Sequence, residues 1–212
     1  MQMEYEQQLP VNGDLAASIA LYALYYTKND NIKRCAIPLT TRFAAIHRHG
    51  ENKSIKQGDE IVIRSWFDKK LEVSTRAVKF IEVFDTIILQ SDGVDLCDKD
   101  LMFNSIKPRK GMRYLMMGFS IDEDTTNYQS FSSGIITNED VRWRRYTGST
   151  GSFEGGGGCW SESGQLMGMQ IEDEASEGPC CIIAVQSIWS HILDLIPDSE
   201  SEEDWDEEDW DE

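Results

Sequence analysis

The 212-residue sequence has only three histidines and five prolines, and no apolar run approaches the ~20 residues that cross a bilayer. No membrane span is therefore expected. Bases are missing from the last fifteen residues, Asp198 to Glu212, which carry eleven acids. Taking those eleven from the 38 acids of the chain leaves 27 against 20 bases in residues 1–197, a net of −7. An acidic body repels phosphate, so nucleic acid is not expected as a partner. Met1 to Pro10 has neither the basic nor the apolar segment of a secretory signal. The five cysteines (Cys35, Cys97, Cys159, Cys180, Cys181) are odd in number and irregular in spacing, unlike a disulfide frame. Free thiols and an intracellular location, cytoplasmic or nuclear, follow as expectations. His47 and His49 share a strand face but lack a second pair at ligand spacing, so neither a metal nor a cofactor is expected.

What the sequence does hold is a series of short β-forming runs separated by turns. Strand candidates are Ser18–Tyr26, Ile32–Leu39, Glu60–Trp66, Lys70–Phe80, Thr86–Gln90, Met112–Gly118, Ser130–Asn138, Val141–Tyr146, Leu166–Glu172 and Pro179–Ala184. Alanine and leucine in the first run also permit a short helix. Gln186–Ile196 places Ile188, Trp189, Ile192, Leu193 and Ile196 on one helical stripe. Many strands followed by one terminal helix point to two small all-β barrels. The expected division is a flexible leader (1–15), an N-terminal barrel (16–104), a C-terminal barrel with a closing helix (105–197) and a disordered acidic tail (198–212).

Three stretches could carry chemistry together. Leu39–Gly50 ends in His47-Arg48-His49-Gly50. Phe84-Asp85 opens the buried run Thr86-Ile87-Ile88-Leu89. Tyr146–Gln170 contains Gly155-Gly156-Gly157-Gly158, then a polar turn and Leu166-Met167-Gly168-Met169. Acyl transfer by a hydroxyl needs a nucleophile, an imidazole to take its proton and a carboxylate to orient the imidazole. A glycine loop can offer two amides to an oxyanion. The order here is His, Asp, glycine loop.

These blocks resemble the trypsin-like (chymotrypsin-fold) serine peptidases, most nearly the intracellular HtrA/Deg-like branch. Pro38–His49 resembles the strand and T-A-x-H block, Asp85–Leu89 the D-[IL]-A-L-L block, and Ser132-Ser133-Gly134-Ile135-Ile136 the strand before the nucleophile loop. Gly164-Gln165-Leu166-Met167-Gly168-Met169 resembles the strand after it. The resemblance implies two six-stranded antiparallel barrels with a C-terminal helix, His49 as the catalytic imidazole and Asp85 as its orienting acid. It also exposes two departures. Where the family writes Gly-x-Ser-Gly-Gly, this chain has Phe153-Glu154-Gly155-Gly156-Gly157. Gly155 stands at the nucleophile position without a side chain. Phe153 replaces an oxyanion-loop glycine, whose φ values a phenylalanine does not readily adopt.

Other assignments stay open on sequence alone. His47 can replace His49, or a strict register places Phe43 there. Cys159 and Ser152 are alternative nucleophiles, though the first reads as a buried structural thiol. The glycine run can be a linker, and Arg142, Arg144 and Arg145 around Trp143 a solvated face. The reading taken is an inactive peptidase homologue that binds a peptide or protein segment. Its cleft wall is Gln170, Ile171, Glu172 and Asp173, whose acids favour a basic ligand. Trp205 and Trp210 could anchor the acidic tail on a basic surface, and Ser199 and Ser201 precede acids as phosphorylation sites do.

Overall fold

β-Branched and aromatic residues fill the runs that pair as strands. In the computed structural model, which describes residues 11–121, 127–142, 144–153, 155–171 and 179–196, they close into two barrels. The first barrel comprises β1 (Leu24–Tyr26), β2 (Arg34–Pro38), β3 (Phe43–His47), β4 (Glu60–Ser65), β5 (Glu72–Ile81) and β6 (Thr86–Ser91). Its order is β1-β2-β3-β6-β5-β4, antiparallel throughout. The second comprises β7 (Arg113–Ile121), β8 (Asn127–Asp140), β9 (Arg145–Gly148), β10 (Gly157–Ser161), β11 (Leu166–Ile171) and β12 (Cys181–Ala184). It closes as β10-β11-β12-β9-β8-β7. The expected pair of six-stranded antiparallel barrels is the observed architecture.

Strand alternation sorts the core. In β3, Ala44 and Ile46 point into the first barrel with Leu24, Tyr26, Ile63, Val73, Ile87 and Leu89. Phe43 and Ala45 face the other way, toward Leu115, Met117, Phe119 and Trp160 of the second barrel. His47 falls on the same side by period. This shared core between the barrels is the largest apolar cluster, and each large side chain fully buried in it contributes about 1.5–3 kcal/mol. A polar clasp supplements it. Lys33 N–H donates to Asn127 Oδ1 (3.0 Å) and Asn127 Nδ2 donates to Lys33 C=O (2.6 Å). Cys35 N–H donates to Gly155 C=O (2.8 Å), so the glycine loop of one barrel is tied to β2 of the other.

Four local expectations need correction. Ser18–Tyr26 is not one strand. Helix α1 (Gly13–Ile19), capped by Asn12, runs into a 3-10 turn, and only Leu24–Tyr26 is extended. The apolar residues of this stretch alternate by helical turns, burying Ala16 and Ile19 beneath it. The run after Gly156 is strand β10, because Cys159 and Trp160 are buried and Gly157–Ser161 pairs with β7. The terminal helix α2 is short (Val185–Trp189) and gives way to a separate 3-10 turn at Leu193–Leu195. Arg142 lies in a turn and β9 begins only at Arg145. Residues 1–10, Trp143, Glu154, Glu172, Asp173 and the acidic tail lie outside the described residues.

Candidate functional site

Asp85 sits at a sharp exit from the 3-10 turn Glu82–Phe84, with φ 49° and ψ 42°. Aspartate is one of the few non-glycine residues that visits this left-handed region. The turn lets Thr86 start β6 opposite His47, and Arg48 N–H donates to Asp85 C=O (2.8 Å). Those restraints bring the Asp85 carboxylate to His49, whose Nδ1 is hydrogen-bonded to Asp85 Oδ2. The His49 ring in turn stacks on His47, with centroids 4.2 Å apart and planes 19° off parallel. His47 is buried, and burial holds its imidazole neutral, with pKa pushed down to about 3, helped by its neighbour His49. Asn52, also buried, donates to His47 C=O (2.7 Å) and fixes the end of β3.

His47, His49 and Gly155 line one cavity of about 230 Å³, with Asp30, Ile32, Arg34, Gly50 and Glu51. Asp30 and Arg34 form a two-pronged ion pair at its rim (3.0 and 2.5 Å), and Glu51 adds a third charge at 3.2 Å. The Arg34 hydrogen bonds hold the Asp30 carboxyl down at about 2. No Ser, Thr or Cys is among the described residues that line this cavity.

Gly155 packs its α-carbon against the first barrel. A β-carbon there would lie 3.0 Å from Lys33 C=O and 3.1 Å from Arg34 Cα. Gly156, with φ +79°, is the glycine whose missing β-carbon would approach an imidazole, 3.3 Å from His47 Nδ1. Phe153 is fixed from two directions. Its N–H donates to Gln170 Oε1 (2.9 Å), and Gln170 Nε2 donates to its C=O (2.7 Å). Its ring lies where a β-carbon on Gly118 would go (2.5 Å), which is why β7 carries glycine at that point. The Phe153 carbonyl also accepts from Gly156 N–H (3.0 Å). The Phe153 amide is therefore engaged by a side chain of its own barrel.

The expected site residues are placed as follows. His49 and Gly155 line one cavity, and Asp85, outside its lining, is hydrogen-bonded to His49. Phe43 lies in the inter-barrel core and does not line it. Cys159 is fully buried, its thiol pushed well above the ordinary range by burial. Gln170 and Ile171 are both 2% exposed, so the Gln170 side chain turns inward and is no part of a cleft surface. Its clamp on Phe153 was missed by sequence reasoning. The signal was a lone amide in the apolar strand Leu166–Ile171, since a buried polar side chain needs a partner. The β11 backbone at Gln170 and Ile171 pairs with β12, and its register with β10 ends at Met169.

No family model matches the sequence, and no curated protein sequence matches it. Solved structures do. A serine endoprotease from Yersinia pestis matches over 89% of this chain and 67% of its own, with TM-score 0.61 at 16% identity. The MamO protease domain from Magnetospirillum magneticum matches over 82% and 96%, with TM-score 0.59 at 14% identity. The Rv3671c protease of M. tuberculosis, in an inactive form, matches over 91% and 99%, with TM-score 0.63 at 11% identity. Together with the two closed six-stranded barrels, these likenesses establish that the chain has the trypsin-like double-barrel fold of serine proteases.

Proposed function

We propose that this protein is a catalytically inactive homologue of the trypsin-like serine peptidases, acting as a peptide- or protein-binding or scaffold domain. The observation that carries the reading is the Gly155 cavity. It holds the His49–Asp85 pair but no described hydroxyl or thiol, and the Phe153 amide beside it is bonded to Gln170. Losing the serine alone lowers kcat by about 10⁶ in subtilisin, and the residual catalysis depends on an intact oxyanion hole. Here both parts are compromised.

A ligand strand would add to β11 at Gln170–Ile171, where the pairing with β10 has ended. Main-chain hydrogen bonds would supply the affinity. Asp30 and Glu51 at the cavity, with Glu172 and Asp173 just beyond, favour basic side chains in that ligand. A peptide array of matched basic and acidic sequences tests the preference, and equal binding to both would remove it.

The test of inactivity is a fluorophosphonate probe on the full chain. No serine labelling is expected. Labelling at one serine, abolished by His49→Ala, would instead establish an active serine-type endopeptidase with a rearranged nucleophile.

A further inference from the structure

Seven of the twenty bases fall in two short segments of this acidic chain: Lys107, Arg109, Lys110 and Arg113 in one, Arg142, Arg144 and Arg145 in the other. The fold brings the two together. Gly111 N–H donates to Ile136 C=O (2.8 Å), Arg113 is in register with Ile135, and Lys107 Nζ lies 3.7 Å from Glu139. Residues 107–113 hold no acid, Glu139 and Asp140 precede the three arginines of the second segment, and Glu162 lies 3.9 Å from Arg113. Lys107, Arg109, Lys110, Arg113, Arg142 and Arg144 are all exposed. Between the segments lies a groove of about 400 Å³, lined by Lys107, Val141, Arg144 and Tyr146 with Ala184, Gln186 and Ser187 beside α2, and by Glu139, whose carboxylate is engaged by Lys107 and the Tyr146 hydroxyl. Val141 is 76% exposed at its edge.

We infer that the acidic tail Asp198–Glu212 docks in cis on this basic end of the second barrel, seating a tryptophan in the groove. The inference is independent of whether the Gly155 site is catalytic. Charge decides the occupant, because the tail has eleven acids and no base. Reach permits it. Trp205 is nine residues past Ile196, at most ~30 Å of extended chain, and Trp210 has more. A tether that short gives an effective concentration in the mM range, so a weak contact suffices. An indole against the exposed Val141, with the Arg144 guanidinium over its face, matches the groove's mixed lining.

The test is zero-length carbodiimide crosslinking of the full chain, with the sites mapped by mass spectrometry. Docking predicts that tail carboxylates join Lys107 and Lys110 within the monomer, in preference to Lys53, Lys56, Lys69 and Lys70. Raising salt to 0.5 M, which screens exposed charges, should cut the yield about fivefold or more. The double substitution Arg142→Glu and Arg144→Glu should do the same while leaving the two reporter lysines in place. Tail crosslinks spread evenly over the lysines, found only in covalent dimers, or indifferent to salt would overturn the inference.

Discussion

Gln170 grips Phe153 by both backbone polar groups, accepting from its N–H at 2.9 Å and donating to its C=O at 2.7 Å. The amide side chain is 2% exposed, so water does not replace either bond when one partner is removed. Substituting Gln170→Met should cost about 1–3 kcal/mol, because the Phe153 N–H loses its partner while its C=O keeps only Gly156 N–H. Chemical denaturation measures the loss. Hydrogen exchange at the Phe153 amide should accelerate at the same time, and unchanged exchange would show that Gln170 is not what protects it.

A serine placed at position 155 should not confer turnover. A β-carbon on Gly155 meets the backbone of Lys33 and Arg34, which cannot swing aside as a side chain can. Gly155→Ser should destabilise by about 1–3 kcal/mol through overpacking. It should also leave an activated ester unhydrolysed, because the Phe153 amide is still engaged. A thermal melt and a stopped-flow burst assay read the two effects separately.

Gly118 and Phe153 should be energetically coupled. Gly118→Ala places a methyl on the Phe153 ring and should cost about 1–3 kcal/mol. Adding Phe153→Ala should recover part of this, with a coupling of about 0.5–3 kcal/mol in a double-mutant cycle. Recovery is expected to be incomplete, since Gly156 C=O lies 2.8 Å from the same methyl position.

His47 should steepen the acid limb of stability. Its folded pKa is about 3 against an ordinary 6.5, so between these values the unfolded chain binds the proton that the folded one refuses. Stability is then full above pH ~6.5 and falls as pH drops, by up to about 1.4 kcal/mol per unit from this group. His47→Gln should flatten the slope between pH 6 and 4 by about that amount. An identical slope in both proteins would show that His47 titrates normally.

Burial also protects thiols. Cys35 and Cys97 are pushed up to about 12 and Cys159 well above the ordinary range, chiefly by burial. Iodoacetamide at pH 8 should leave these three unmodified in the folded protein and alkylate them in urea. Mass mapping of the adducts settles it.

Much of the fold could be read from alternation and turn chemistry. Glu60–Trp66, Thr86–Gln90 and Leu166–Glu172 carry β-forming residues bounded by polar turns, and each is a strand within a residue or two. Strand β10 escaped because Gly157-Gly158-Cys159-Trp160 has little β-propensity, and its conformation comes from pairing with β7 and β11. Helix α1 was hidden because its short apolar run, Leu15-Ala16-Ala17-Ser18-Ile19, satisfies either period. At the site, the adjacency of His49 and Asp85 followed from block order, since both flank strands that pair. The Gln170 clamp did not. It joins a side chain to a backbone seventeen residues away, a relation with no periodic trace.

The tight seating of Gly155, the Gln170 clamp and the Phe153–Gly118 fit form a ratchet. A serine is crowded while Gly155 nestles on β2, and the loop amide stays sequestered while Gln170 is present. Gln170 cannot leave without stranding Phe153, and a glycine in place of Phe153 would open a void over Gly118. No one-residue step leads from this sequence to a serine with a free oxyanion amide. The loop's present shape is thereby held against single substitutions by the cost of each one.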